Sequence, residues 1–202
     1  MKHIFKKGTN PSRPTLLLLH GTGGDENDLL PLVEHVDSEA NVLSVRGNVL
    51  ENGMPRFFKR LAEGIFDEED LIYRTNELND FLDEAAQTYH FDRENIVALG
   101  YSNGANIAGS LLFHYKNALK GAILHHPMVP RRGITLPDLT GTSVFIAAGV
   151  NDPICPESVA KELDLLLKNA NAEVTLHWVN TGHQLTWDEV QKAADWYKKT
   201  FK

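Results

Sequence analysis

The chain has 202 residues, 42% of them hydrophobic and 23% charged, with a formal net charge of -7, which suits one globular domain with a sizeable core. The charge carries no basic stripe and argues against nucleic acid as a partner, because phosphate binding needs clustered Lys and Arg. No apolar run approaches membrane-spanning length, the basic segment Met1–Lys7 lacks the apolar stretch of a secretory signal, and the lone Cys155 has no internal disulfide partner; a cytoplasmic home is the expectation.

Along the chain, Thr15–His20 is a continuous apolar run, as expected for a strand buried on both faces of a parallel sheet. It ends in Gly21-Thr22-Gly23-Gly24, and capping acids followed by Leu29, Leu30, Leu32, Val33 and Val36 at helical spacing predict a helix near 26–37. The glycine loop then lies between a strand's carboxyl end and a helix's amino end, where backbone N–H groups are free. Residues 41–46 read as a second strand. From Gly47 to Asp67 no clean period is found, so this stretch reads as a long irregular loop. Loops of that length tend to be functional, and Phe57, Phe58 and Phe66 within it form either an apolar pocket wall or a small satellite core. Glu68 to Tyr89 then has the spacing of one amphipathic helix.

Asn95–Gly100 is apolar and rich in β-formers, and Ala105 to Tyr115 is a helix of small residues. Between them, Gly100-Tyr101-Ser102-Asn103-Gly104 is a GxSxG turn, which exposes its serine on a strained backbone at a strand end. Strands at 121–125, 143–148 and 173–179 follow, with helices at 157–169 and 186–199. Alternation of this kind predicts a parallel sheet covered on both sides, within a single domain over residues 1–202.

A serine hydroxyl is a poor nucleophile until a base and an orienting group are supplied. Asp152 in Gly149-Val-Asn-Asp-Pro153 and His183 in Asn180-Thr-Gly-His-Gln184 each follow a predicted strand, where open α/β sheets gather their reactive groups. The chain order Ser, Asp, His is the one found in α/β-hydrolases. Ser102 would attack an acyl carbonyl, His183 would move the proton and Asp152 would orient the imidazole. The amides of Thr22 and Asn103 are the candidate oxyanion donors. Gly23, Arg46, Phe57, Phe58 and Phe66 are the candidate substrate contacts; Arg56 and Arg60, which with Arg46 flank the phenylalanines, are either substrate contacts or solvated surface.

Nine histidines, with His125 and His126 adjacent, raise a metal reading. Neighbours on a strand point to opposite faces, and no metal-ligand spacing occurs, so no metal is expected. His20 reads as an orienter of the glycine loop, and Cys155, without a nucleophile elbow, as structural.

These motifs resemble the α/β-hydrolase superfamily over nearly the whole chain, and within it the small lidless branch of bacterial carboxylesterases, phospholipase/carboxylesterase-type proteins and acyl-protein thioesterases. Arg46–Phe58 and Phe66–Asp70 look most like the bacterial hydrolases associated with hydroquinone and quinone stress. Acyl-protein thioesterases carry Gln where Asn103 stands and Gly where Ala105 stands, which sets the chain apart from them. The resemblance implies a mostly parallel central sheet with helices on both faces and no separate cap domain. It also implies cofactor-free serine-hydrolase activity on a small-molecule ester or thioester, and a homodimer. The rival readings are a hydrolase-fold protein that binds a small ligand without turnover, since fold does not fix function, and an acyltransferase using the same residues.

Overall fold

The structure is a computed structural model that describes residues 1–202. Strands β1 (His3–Lys6), β2 (Thr15–Leu19) and β3 (Val42–Val45) open the chain, with a short helix α1 (Val33–Val36) between the last two. Two small hairpins follow, β4 (Val49–Glu51) with β5 (Met54–Arg56) and β6 (Arg60–Ala62) with β7 (Ile65–Phe66). Then come α2 (Glu68–Tyr89), β8 (Ile96–Tyr101), α3 (Asn103–His114), β9 (Gly121–His125), β10 (Ser143–Gly149), α4 (Glu157–Asn169), β11 (Glu173–Val179) and α5 (Trp187–Phe201). The central sheet has seven strands in the order β1-β3-β2-β8-β9-β10-β11. All its pairings are parallel except that of β1 with β3.

Period-two alternation divides each apolar strand between two cores. Leu17 and Leu19 of β2, Ala98 of β8 and Ile146 of β10 face the larger core with Leu78 and Leu82 of α2, Ile107 and Leu111 of α3 and Leu163 of α4. Leu16 and Leu18, Val97 and Leu99, and Phe145 and Ala147 face the other way, onto Val33 and Val36 of α1 and Val190, Ala194 and Tyr197 of α5. A run such as Leu16–Leu19 is therefore apolar at every position because both faces are covered.

The predicted helix at 26–37 is shorter and broken: residues 26–29 are turn, Leu30–Leu32 is one 3₁₀ turn, and only the four residues of α1 are α-helical. Asp25 caps locally, its Oδ1 accepting from the N–H of Asn27 at 2.8 Å, and Pro31 lacks the N–H that a helix through this stretch would use. The expected irregular loop at 47–67 is instead the pair of hairpins. The first turns at Asn52 and Gly53, both with positive φ (52° and 80°), as an Asn-Gly hairpin turn requires. Strand β1, for which no strand was expected, forms the antiparallel edge.

The turn between β8 and α3 is shaped by its neighbours. An ideal Cβ on Gly104 would lie 1.9 Å from the carbonyl oxygen of Leu19, and one on Gly100 would lie 2.6 Å from the carbonyl oxygen of Gly104. The glycines thus let the start of α3 pack onto the backbone of β2. Gly104→Ala is expected to lower stability by about 3 kcal/mol or more, since backbone must move. Gly141→Ala, at φ 84° with nothing within 4 Å, is expected to cost about 1 kcal/mol. Urea midpoints for the two variants check this, and equal losses would contradict the close approach.

Candidate active site

Strand β8 delivers Ser102 at its carboxyl end, with φ 51° and ψ -112°, a conformation that costs a non-glycine residue roughly 1–3 kcal/mol. Two hydrogen bonds hold it: its N–H donates to the carbonyl of His125 at the end of β9 (2.9 Å), and its carbonyl accepts from the N–H of Asn106 in α3 (2.9 Å). The side chain therefore projects from the sheet rim. Its Oγ lies 2.8 Å from Nε2 of His183, whose Nδ1 lies 2.8 Å from Oδ2 of Asp152. The three predicted groups thus form one continuous hydrogen-bonded chain.

Asp152 is buried and its oxygens are fully used. Oδ1 accepts from the N–H groups of Ile154 (2.8 Å) and Cys155 (2.9 Å), while Oδ2 faces both His183 and His126 Nδ1, the latter at 3.0 Å. Burial acts to raise its pKa, but the N–H of Cys155, the ring of His183 and the N–H of Ile154 together hold it below the usual aspartate value. His183 is carried on the loop after β11, which is tied to the Asp152 loop by Asn151 N–H donating to Thr181 O at 3.1 Å. Tyr101 also donates its hydroxyl to the carbonyl of His183 (2.9 Å).

The glycine loop is organised by His20, as expected. Its Nδ1 donates to Gly21 O at 2.6 Å and its Nε2 accepts from Gly47 N–H at 3.0 Å. That pattern needs the neutral ring, and burial lowers the pKa of His20 accordingly. Arg56, also buried, donates to Thr22 Oγ1 at 2.8 Å and to Phe58 O at 3.2 Å, bracing the loop from β5. The amides of Thr22 and Asn103 donate to no protein acceptor, and both residues line the same cleft as Ser102 and His183. The Asn103 side chain accepts from Phe57 N–H at 2.7 Å and locks the first hairpin to the start of α3.

The cleft measures about 220 Å³, with Phe66, Met128 and Ile154 as apolar wall and Arg56 and Arg60 on its polar side. Of the candidate substrate contacts, only Phe66 lines it. Phe57 and Phe58 are buried in the larger core, Phe57 against the ring of His20 and Phe58 against Phe66. Gly23 donates its N–H to Pro55 O at 2.9 Å, with Met54 beside it. Arg46 points elsewhere, ion-paired with Asp25 (2.9 Å) and Glu26. The hairpins decide among the three arginines, turning Arg56 and Arg60 to the cleft and leaving Arg46 outside it, where a loop reading had no faces to assign.

His126 was also misread. It lies one residue past the end of β9 with φ 53°, so its ring leaves the strand alternation. Nδ1 of His126, Nδ1 of His183 and the Asp152 carboxylate fall within 4.8 Å of one another, a spacing a metal could bridge. His126 Nδ1 and His183 Nδ1 both lie within hydrogen-bonding distance of the same Asp152 oxygen, at 3.0 and 2.8 Å. The other nitrogen of His126 faces Glu189 in the first turn of α5. No sequence signal pointed to Tyr101 or Met128 in this region, and the one for His126, its adjacency to His125, suggested only a metal pair.

The fold is that of an α/β-hydrolase, with Ser102 at the sharp turn between β8 and α3, and the comparisons with known proteins agree on the fold. Residues 2–201 match the model of the phospholipase/carboxylesterase family, and the chain belongs to that family of ester hydrolases. It is 60% identical over 199 residues to MhqD of Bacillus subtilis (strain 168), covering 98% of each chain. Among solved structures, the Bacillus cereus carboxylesterase superposes with a TM-score of 0.99 at 75% identity, covering all of this chain and 95% of that one. YahD, solved with malic acid, matches with a TM-score of 0.94 at 32% identity over 98% of each chain. No helix is long and apolar enough to cross a membrane.

The buried carboxylates set the response to acid. Burial raises the pKa of Glu189, but the nearby rings of His125 and His126 outweigh it and bring the group down to about 2. A carboxyl depressed on folding adds stability above its unfolded pKa, about 4, and that stability is lost as pH falls through the folded value. Thermal denaturation from pH 6 to pH 2 is expected to show Tm falling steeply below about pH 4, and Glu189→Gln is expected to flatten part of the fall. A wild-type Tm unchanged between pH 6 and pH 3 would contradict this.

Proposed function

We propose that the protein is a serine carboxylesterase that cleaves esters or thioesters of small acyl or aromatic substrates through an acyl-enzyme on Ser102. The observation that carries the reading is the unbroken chain from Ser102 Oγ through His183 to Asp152, at 2.8 Å in each link. Ser102 Oγ attacks the acyl carbon while His183 Nε2 takes its proton, and the carbonyl π pair moves onto oxygen. The amides of Thr22 and Asn103 receive that oxyanion, a role that their freedom from other acceptors supports. On collapse the C–O or C–S bond to the leaving group breaks, and His183 returns the proton to it. Water then repeats the sequence with His183 as base, releasing the carboxylic acid and restoring Ser102. Asp152 keeps Nδ1 of His183 protonated, so that Nε2 stays available as the base.

The cleft volume supports short acyl chains. Turnover of p-nitrophenyl esters is expected to favour acetate or butyrate over dodecanoate by about tenfold or more in kcat/KM, and a preference for the long chain would overturn the size argument. Ser102→Ala and His183→Ala are each expected to lower kcat by about 10⁴-fold or more on p-nitrophenyl acetate, with folding checked by circular dichroism. Wild-type turnover in either variant would remove that residue from the mechanism. A protein that binds without turnover would show no Ser102-dependent hydrolysis in the panel.

A further inference from the structure

Beyond the Ser102–His183–Asp152 chain, the hydrogen bonds continue in the opposite direction. His126 is fully buried. Its Nδ1 lies 3.0 Å from Asp152 Oδ2, the same oxygen that meets His183 Nδ1 at 2.8 Å. On the far side of the ring, Nε2 lies 3.1 Å from Oε2 and 3.3 Å from Oε1 of Glu189, itself completely buried. Glu189 also belongs to the cap of α5: Oε1 accepts the N–H of Thr186 at 2.5 Å, and the Thr186 side chain returns a bond to the backbone of Glu189. The segment from His183 to α5 is thereby pinned to the same cluster.

An ionised carboxylate has only acceptor oxygens. A ring with such a carboxylate on each nitrogen must donate from both, and only the imidazolium form does so. We propose that His126 is a positioning residue of the hydrolytic site, a buried cation clamped between Asp152 and Glu189. It fixes Asp152 and offsets part of the negative charge facing His183. The inference rests on the serine-hydrolase reading for its kinetic consequences, though the charge state of His126 does not.

The charges of the cluster sum consistently. Burial disfavours the His126 cation, but the hydrogen bond and charge of Glu189, followed by those of Asp152, outweigh it and raise its pKa above the ordinary value. Without the cation, two desolvated carboxylates would share one pocket, and one of them would have to take up a proton. The remaining groups around the ring do not replace it. Tyr101 stands edge-on at 6.1 Å, the His183 ring is at 5.4 Å, Cys155 Sγ donates to the His126 carbonyl at 3.3 Å, and His125 Nδ1 is 3.6 Å from Glu189. Burial raises the pKa of the Cys155 thiol and that of the Tyr101 phenol, so both stay neutral near pH 7.

A positive charge beside Asp152 opposes a second one forming on His183. It opposes the imidazolium that forms when Ser102 gives up its proton and favours return of that proton to the leaving group. In His126→Gln the amide can still donate to Asp152 but the charge is gone. The acid limb of kcat/KM is then expected to move up by roughly one pH unit, with kcat falling about tenfold at pH 6 and KM little changed. A variant that loses thermal stability while its acid limb stays in place would overturn the proposal, because a merely structural role predicts that result.

Nitrogen-15 NMR of the histidine rings in the whole wild-type chain tests the charge state without activity. Both His126 nitrogens are expected to stay protonated from pH 5 to pH 8, and a neutral ring at pH 7 would overturn the proposal even if Ser102 is the nucleophile. If His126→Gln does not fold, Glu189→Gln serves. Its amide oxygen still accepts from Thr186, but one carboxylate is removed, and His126 is expected to lose its proton at a lower pH than in wild type. An unchanged His126 titration in that variant would contradict the clamp.

Discussion

The geometry of the site depends on one buried carboxylate. Asp152 lies below the sheet rim with almost no water contact, yet four N–H groups converge on its two oxygens, two from its own loop and two from imidazole rings. Removing a carboxylate from water costs several kcal/mol unless its lone pairs are satisfied, and here every one is. Backbone amides fix Oδ1, and that leaves Oδ2 aimed at His183. On the proposed mechanism, an imidazole held in this way needs little reorganisation to receive a proton from Ser102. The loops after β10 and β11 meet because those strands are parallel neighbours in register from Ser143 with Glu173 to Gly149 with Val179. Asp152 and His183 are thus brought together by sheet pairing across a sequence gap.

A second constraint acts on Ser102. Gly104 presses against the backbone of β2, and Gly100 admits the first turn of α3 over the end of β8. Ser102 is left at the sharp corner between them with a positive φ. The strain is local, and it is supported by two packed cores that share the central strands. The same corner turns the amide of Asn103 toward the cleft and lets its side chain hold Phe57. One residue therefore links the corner to the hairpins that wall the cleft.

Much of this was legible in the sequence, for identifiable reasons. Strands covered on both faces are continuous apolar runs, and the reactive groups lie in short turn motifs just past them, so sheet, helices and the Ser102–His183–Asp152 set could be read locally. Strand β1 was not legible because a four-residue antiparallel edge strand, half exposed, has no such run. The hairpins at 49–66 carried a signal in Asn52-Gly53, but their strands of two or three residues are too short for a period to register. Without them nothing separates Arg56 and Arg60, which line the cleft, from Arg46, Phe57 and Phe58, which do not. His126 depended on a single backbone reversal after a strand, which no residue type announces. Its link to Glu189 joins positions that only the folded chain brings together.

The most direct test of the account is the fate of a fluorophosphonate probe on the native protein, followed by peptide mapping. The account predicts one covalent adduct, on Ser102, abolished when the protein is unfolded beforehand and absent from His183→Ala on the same timescale. An adduct on another side chain, or none under conditions in which the protein turns over an ester, would contradict it.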